Sequence, residues 1–513
     1  MNTRAIQIAF LSFIFFTSNL QSQKLSSRIL DSLTQQPIPY VTVQLNNKGV
    51  ITNEEGQFTF LLDENIKATD SLHISCMGYE SLGKPIDQFT ENAIYLRPKA
   101  IELREVIVSN KNYTADEIIE LVEDNLEKNY SSDITKQRVF HRRSSFDRWI
   151  KSDFKVKKST IAILDQRLLD SVIASVPKYN PYYSEVLGDL YGGKNTETNK
   201  LDLLKASKLY DKSTELDEEK LEEKFNDILR KNVKDGSYFK IKSGLLSFKI
   251  DADEVSTLFE EEIDSTDTAA LNKELEERKK DKEEEKKNYV NWKRNNIASI
   301  INGLPTAEDT DLDFISKSRK YRFNLKEFTY LGDDAVYVLD FESKGSADYK
   351  GTLFINADDF AILQVNYENI KSLQKFNLLG VSANNYLSKG KIIYNKGANG
   401  FYGLRYYESE SGSRVGIDRS LKIIEKNKIV KGKNRQNELS GQMDFGFNNV
   451  EKNELVVFET ETISQATFEA FEEKSDVLPT YMANYDPEFW KGYSILEPNT
   501  VIKQFISEAG SSE

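Results

Sequence analysis

Between residues 24 and 108 the chain runs in short apolar segments set apart by turn residues. Segments 27–31, 37–43, 52–58, 70–75 and 103–108 have strand length, 95–96 is a shorter apolar pair, and 53–56 (Asn-Glu-Glu-Gly) is a turn in which Gly56 can take a positive φ. Val41, Val43 and Leu45 alternate with Thr42 and Gln44, the period-two pattern of a half-buried strand. Strands of this length and spacing predict a small antiparallel sandwich closed within 24–108.

The pattern changes at residue 114. Ile118, Leu121, Val122 and Leu126 recur at helical spacing, with Thr114 and Glu117 placed as a capping box, and predict an amphipathic helix over 114–128. Two strands are expected at 138–145 and 149–157. Segments 161–173 and 201–229 read mainly as helix, and 237–243 as a strand. Segment 273–287 is almost wholly charged, with Glu-first i,i+4 pairs such as Glu283–Lys287 and no apolar seam, and predicts a solvated helix within an insert near 255–297. From 321 to 458 the pattern is strongly β. Strands at 335–341, 351–356, 361–367, 391–394 and 401–407 are joined by short turns around Gly332, Asp358-Asp359 and 395–400, which predicts a meander in one large antiparallel sheet. Leu363, Val365 and Tyr367 share one face of it, a candidate apolar sheet face. The tail from 471 is expected to pack back through Phe489 and Trp490.

The segments of the first region also carry a resemblance. Ile29-x-Asp31, Pro37-x-Pro39-Tyr40-x-x-Val43, Thr52-x-x-x-Gly56-x-Phe58, Asp70-x-Leu72-x-Ile74-Ser75, Gly78-Tyr79 and Leu103-x-Glu105-Val106-x-Val108 occur in the order seen in the carboxypeptidase-regulatory-like domain. Ser27 stands where that family usually has Gly. The resemblance implies an immunoglobulin- or transthyretin-like β-sandwich and an envelope protein of Bacteroidetes type. More weakly, residues 349–356 with 360–367 resemble the half-barrel sheets of LolA/LolB-like lipoprotein carriers. That implies a curved sheet whose concave face packs on a helix, 114–128 being the candidate, or holds an acyl chain. The fold class expected is therefore α+β and β-rich: the sandwich at 24–108, a larger antiparallel-sheet domain with helical insertions at 109–470, and a tail at 471–513.

Charge adds a partner class. The 513 residues carry a net charge of −13, which disfavours nucleic acid. Against that balance, 136–158 holds nine Lys or Arg and only Asp147 and Asp153. Arg138 and Arg142 would share a face of one strand, and Lys151, Lys155 and Lys157 a face of the next. The five are a candidate surface for anionic lipid, with pairing to acidic neighbours as the competing account. Arg4 followed by the apolar run 5–16 predicts a signal peptide ending near Ser22 or Gln23, and so a periplasmic or outer-membrane-associated protein with no transmembrane segment once mature.

Candidate chemistry is sparse. Cys76 is the sole cysteine, so no disulfide forms within the chain, and His73 and His141 are the only histidines. Neither has the spacing of a zinc site, and no Gly-x-Ser-x-Gly elbow or phosphate-cradling loop is present. Asp358-Asp359 is explained by its turn. No catalytic residue, metal or cofactor is assigned. The expected function is non-catalytic binding of a lipid, glycan or envelope protein. An accessory or structural part of an outer-membrane receptor or assembly system, and an enzyme of unrecognised type, remain the alternatives.

Overall fold

The computed structural model describes residues 23–62, 66–67, 69–89, 92–99, 113–130, 133–193, 198–214, 225, 227–228, 230–234, 236–244, 246–251, 268–307, 309–427 and 434–507. The signal-peptide reading, the strand at 103–108 and the insert before 268 lie outside them. The chain divides into two units, 1–100 with 486–499, and 101–485 with 500–513.

In the first unit β1 (Gln23–Asp31), β2 (Thr42–Leu45), β3 (Lys48–Ile51), β4 (Gln57–Leu62), β5 (Ser71–Ser75), β6 (Leu82–Pro85) and β7 (Ala93–Leu96) form two small sheets. Their orders are β4-β1-β7 and β3-β2-β5-β6. Ile29, Val41, Val43, Leu45, Phe58, Phe60, Leu72 and Ile74 are their core. Segment 52–58, read above as a strand, is mostly the turn from β3 into β4. Asn53 Oδ1 accepts from the amides of Glu55 and Gln57 at 3.0 and 2.8 Å, and Gly56 has φ +72°. A Cβ at Gly56 would stand 2.5 Å from the Ile29 carbonyl oxygen, so the position requires glycine. The sandwich is not wholly antiparallel: β1 and β7 pair in parallel. Five strands intervene between them, enough chain to return in the same direction. From the tail, Pro498 O accepts from Asn53 Nδ2, and Trp490 is buried with its ring edge-on to Phe489 at 5.0 Å.

The second unit is built on one 14-stranded sheet. Its strands are β8 (Thr135–Ser159), β9 (Tyr179–Gly192), β10 (Lys200–Tyr210), β11 (Ser237–Ser243), β12 (Leu246–Asp251), β13 (Tyr321–Leu331), β14 (Asp334–Ser343), β15 (Tyr349–Asn356), β16 (Ile362–Asn369), β17 (Gln374–Leu378), β18 (Val381–Lys396), β19 (Tyr402–Asn427), β20 (Arg435–Thr462) and β21 (Thr480–Met482). The main order is β13-β14-β15-β16-β18-β19-β20-β8-β9-β10-β21; β17 pairs β18, and the β11–β12 hairpin pairs β19. Apart from the parallel pair β10–β21, its strand pairs run antiparallel. The meander from β13 to β16 and the hairpin of β18 with β19 follow the alternation of the sequence.

Two expected assignments change. The segment at 201–210 is β10, not helix. A bulge between Leu203 and Lys205 shifts the phase, so its apolar residues fall at mixed spacing. The two strands expected at 138–145 and 149–157 are one strand, β8, with its phase reset by a bulge at Ile150.

Helix α1 (Ala115–Asn129) carries the expected capping box and buries Ile118, Ile119 and Val122. Tyr130, just beyond it, donates to Ile362 O and accepts from Ile362 N, both at 2.9 Å, which fixes the helix end to β16. Helix α2 (Gln166–Ser175), capped by Asp165, lies along β8. Helix α3 (Thr268–Asn302) holds the charged segment and continues into buried Val290 and Ile297. The chain that follows inserts Phe314 against Phe341, with ring centroids 4.6 Å apart. Helices α4 (Gln465–Ala470) and α5 (Thr500–Lys503) complete the described elements.

Close approach at Gly351 gives a test of this packing. A Cβ there would overlap the Asn366 carbonyl oxygen and stand 2.8 Å from Phe341 Cζ. Gly351→Ala is expected to cost about 3 kcal/mol by overpacking, read as a fall in the urea midpoint of the sheet unit. An unchanged midpoint would contradict the register of β14 to β16.

Candidate functional site

In an antiparallel ladder, directly paired residues share a face. The registers therefore sort the long strands into two faces. On the first, β16 places Val365 and Tyr367 over Ile392 and Gly390 of β18, and Ile392 over Tyr407 of β19. Tyr407 pairs with Leu455 of β20, and Leu455 with His141 of β8. Of the apolar face anticipated from alternation, Val365 and Tyr367 lie here and Leu363 sits at a bulge between Ile362 and Gln364, all three at no more than 6% exposure. They are core rather than open surface, because Phe314 and the chain after α3 cover this part of the sheet.

Farther along, the same face is uncovered. One row across five strands reads Phe376, Ala383, Val415, Phe447, Trp149. The next reads Leu378, Val381, Ile417, Phe445, Ser152. Trp149 meets Phe447 and Phe445 with centroids at 5.3 and 6.2 Å. Phe376, Leu378, Val415 and Ile417 are 48%, 57%, 45% and 36% exposed, so the rows form a solvent-facing apolar strip. Gln374, Asn385, Ser413, Asn449 and Asp147 bound it on one side, and Arg419, Met443 and Phe154 on the other.

The opposite face at the same rows is polar: Asn384, Arg414, Asn448 and Arg148, then Ser382, Gly416, Gly446 and Lys151, then Asp418, Asp444 and Asp153. The bulge at Ile150 makes this separation. With unbroken alternation Lys151, Asp153 and Lys155 would follow Trp149 onto the apolar face. The extra residue sends them to the polar face and brings Ser152, Phe154 and Val156 to the apolar one.

The five cations proposed for anionic lipid are placed mostly in ion pairs. Arg142 is 1% exposed, with Nε on Glu185 Oε1 at 2.6 Å and Nη1 near Glu454 at 3.8 Å. Arg138 forks onto Asp189, which also holds Lys136 at 3.2 Å. Lys151 meets Asp444 at 3.0 Å, and Lys155 stands 3.8 Å from Asp153. Lys157 is exposed at a second bulge, between Val156 and Lys158. The pairing carboxylates of β9 and β20 lie far away in sequence. Arg138 and Arg142 are consequently tied within the sheet rather than presented as a basic surface.

A second polar cluster lies where α3 crosses the covered part of the face. Lys293, fully buried, donates from Nζ to Ser184 Oγ at 2.7 Å. His141 Nε2 donates to Asn453 Oδ1 at 3.0 Å, while its Nδ1 has no hydrogen-bond partner among the described residues. Burial, aided by the Lys293 charge, pushes His141 down to about 3. Burial and the neighbouring Arg143 guanidinium push Lys293 down to about 7, with Glu451 opposing. Neither group faces solvent as the helix lies, so the cluster is not an open reactive centre. A groove of about 530 Å³ beside it is lined by Glu284, Glu285, Asn288, Tyr289 and Trp292. Among the described residues no group of three or more His, Cys, Asp or Glu is placed to hold a metal ion, and no helix is long and apolar enough to cross a membrane.

Comparison with known proteins identifies the first region. Residues 25–108 match the family model of the CarboxypepD_reg-like domain. No curated protein matches the chain. Among solved structures, the chain is similar to a LolA superfamily protein from Nitrosomonas europaea (9% identity, 70% of this chain and 98% of that one, TM-score 0.17). It is also similar to a DUF1329 family protein from Desulfovibrio piger (10% identity, the same coverages, TM-score 0.17). A likeness of that degree carries nothing about ligand or activity.

The Lys293 cluster predicts a pH dependence. The folded-state value near 7 lies below the unfolded 10.5, so between these the unfolded amine keeps a proton that the folded one has lost. Stability then rises with pH across that window, and the penalty of about 5 kcal/mol is complete below pH 7. Lys293→Met should raise the melting temperature at pH 6.5, with the gain shrinking by pH 9.5. A gain equal at both values would show that Lys293 titrates normally.

Proposed function

We propose that the protein is a non-catalytic binding protein of the cell envelope that holds the acyl chain of a lipid on the open apolar strip of its large sheet. The observation that carries the reading is the pair of exposed rows from Phe376 and Leu378 to Trp149 and Phe445. Large apolar side chains exposed in register across five strands demand an explanation that scattered ones do not.

Size favours an acyl chain over a protein. Four inter-strand gaps span about 19 Å and two rows about 14 Å, an area of roughly 300 Å². A stable protein interface uses about 800 Å² per partner. One leaflet of hydrocarbon is about 15 Å deep, which matches the strip's length. The side chains of the two rows are aliphatic or aromatic apart from Ser152, which suits retention of a chain and supplies little for chemistry on it. A cell-envelope location goes with this ligand class, and the Arg4-led apolar run supports export.

Native mass spectrometry of protein taken from the envelope fraction should find a retained lipid. In parallel, a pyrene-labelled fatty-acid methyl ester, uncharged at its head, should bind the wild type. Ile417→Asp with Phe447→Asp should weaken it at least tenfold, about 1.4 kcal/mol, while the unfolding curve stays close to wild type. Wild-type protein that carries no lipid and binds no ester would end the reading.

A further inference from the structure

Two hairpins meet end to end along one edge of β19. β18 pairs with β19 up to Val381–Ile417, and β11 takes over at Ser243–Leu421. Arg419 lies at the junction, on the face that carries the apolar rows, paired across β20 with Met443. The turn after β17 contributes Gly380 at φ +75°, and the turn after β11 contributes Gly244 at φ +59°. Both glycines make room for the arginine. A Cβ at Gly244 would stand 2.5 Å from Arg419 Nη2, and one at Gly380 would stand 2.7 Å from Arg419 Cγ. The side chain is thus seated between two turns instead of projecting freely.

Its donors are under-used. Nη2 donates to Ser243 O at 2.6 Å, while Nε is buried and has no hydrogen-bond partner among the described residues. No carboxylate pairs with Arg419 among the described residues, whereas Arg138, Arg142, Arg143, Lys151 and Lys158 of β8, two strands away, each hold one. Asp418, adjacent in sequence, is on the opposite face and accepts from Gln442. The hairpin tips around the guanidinium carry Leu246, Leu378 and Leu379, exposed at 59%, 57% and 56%. A partly exposed cation in an apolar setting, with fork-shaped donors to spare, matches a carboxylate or phosphate oxygen.

We infer that Arg419 is the head-group subsite of the strip and that the ligand is an anionic amphiphile, its chain along the rows and its acidic head on the guanidinium. This rests on the acyl-chain reading of the strip. Cation and apolar rows are contiguous on one face, so one molecule can satisfy both, which a free anion or a neutral lipid cannot.

The test compares a pyrene-labelled fatty acid, ionised at pH 8, with its methyl ester, on the full chain as wild type, Arg419→Gln and Arg419→Lys. The wild type should bind the acid at least tenfold more tightly than the ester. Arg419→Gln should remove that preference and leave ester affinity unchanged, and Arg419→Lys should keep part of it. Equal binding of acid and ester by the wild type overturns the head-group assignment and leaves the strip reading standing. Failure of both ligands to bind removes the two together. If Arg419→Gln lowers acid and ester affinity equally, the side chain only supports the hairpin junction, and the assignment is wrong. A melting curve for each variant, and ester binding itself, report whether Arg419→Gln is folded.

Discussion

Alternate residues of a β-strand face opposite sides, and β8, β19 and β20 run 25, 26 and 28 residues in one mutual register. Nearly every feature of the second unit depends on that ladder. A slip of one residue between β19 and β20 would move Phe445 and Phe447 to the side of Asp418 and Arg414, and one between β20 and β8 would break the edge contacts of Trp149. Cross-strand pairs hold the register from both faces. Aromatic contacts act on one side. Ion pairs such as Lys151–Asp444 and Arg142–Glu185 act on the other, the buried one more strongly than the exposed one.

Only part of the apolar face is covered, and α3 marks where covering begins. Val290, Lys293 and Ile297 follow one another at helical spacing and all are buried. Two of the three contribute in the ordinary way. Lys293 works against them: its ammonium is desolvated, and it donates to the Ser184 hydroxyl and lies over the Trp292 and Tyr289 rings at 4.5 and 5.5 Å without recovering its hydration. Beyond this crossing, toward Asn449 and Phe447, the sheet continues with both faces half exposed. The boundary between core and open strip is therefore also the place where a poorly compensated charge is buried.

The elements legible in the sequence were those whose spacing is bounded by clear capping or turn residues. The capping box of α1, the hairpin from β15 to β16 and the β18–β19 pair could be read from spacing and turn residues. One extra residue near Leu203 disguised β10, while residues 146–148, expected to separate two strands, pair without a break inside β8. The basic run at 136–158 was visible as an anomaly, yet its partners Asp189, Glu185 and Asp444 belong to strands that only the fold brings alongside. The apolar strip left little trace. Val415 and Ile417 stand in a polar strand, and so do Phe445 and Phe447. Two such residues per strand fall below any hydrophobic run. Their number becomes significant when five strands align them.

An exposed apolar strip normally invites aggregation, and its position within the sheet limits that hazard. The rows cross β18, β19 and β20, whose backbone groups are paired on both sides there, and end on β8, which beyond Arg148 pairs with β20 alone. Edge-to-edge growth needs unpaired N–H and C=O groups, and at this end of the sheet those belong to β17, β12 and β8 after Arg148, where Gln166 of α2 blocks part of the edge by accepting from Val156 N and donating to Phe154 O. Strands β17 and β12 are short, at five and six residues, and each carries a lysine, Lys375 and Lys249. Short outer strands on one side and the Gln166 contact on the other limit the free edge beside the apolar side chains. Such a surface can take up a flexible chain along the rows while offering a second protein little backbone to join, which is the selectivity a lipid-holding sheet requires.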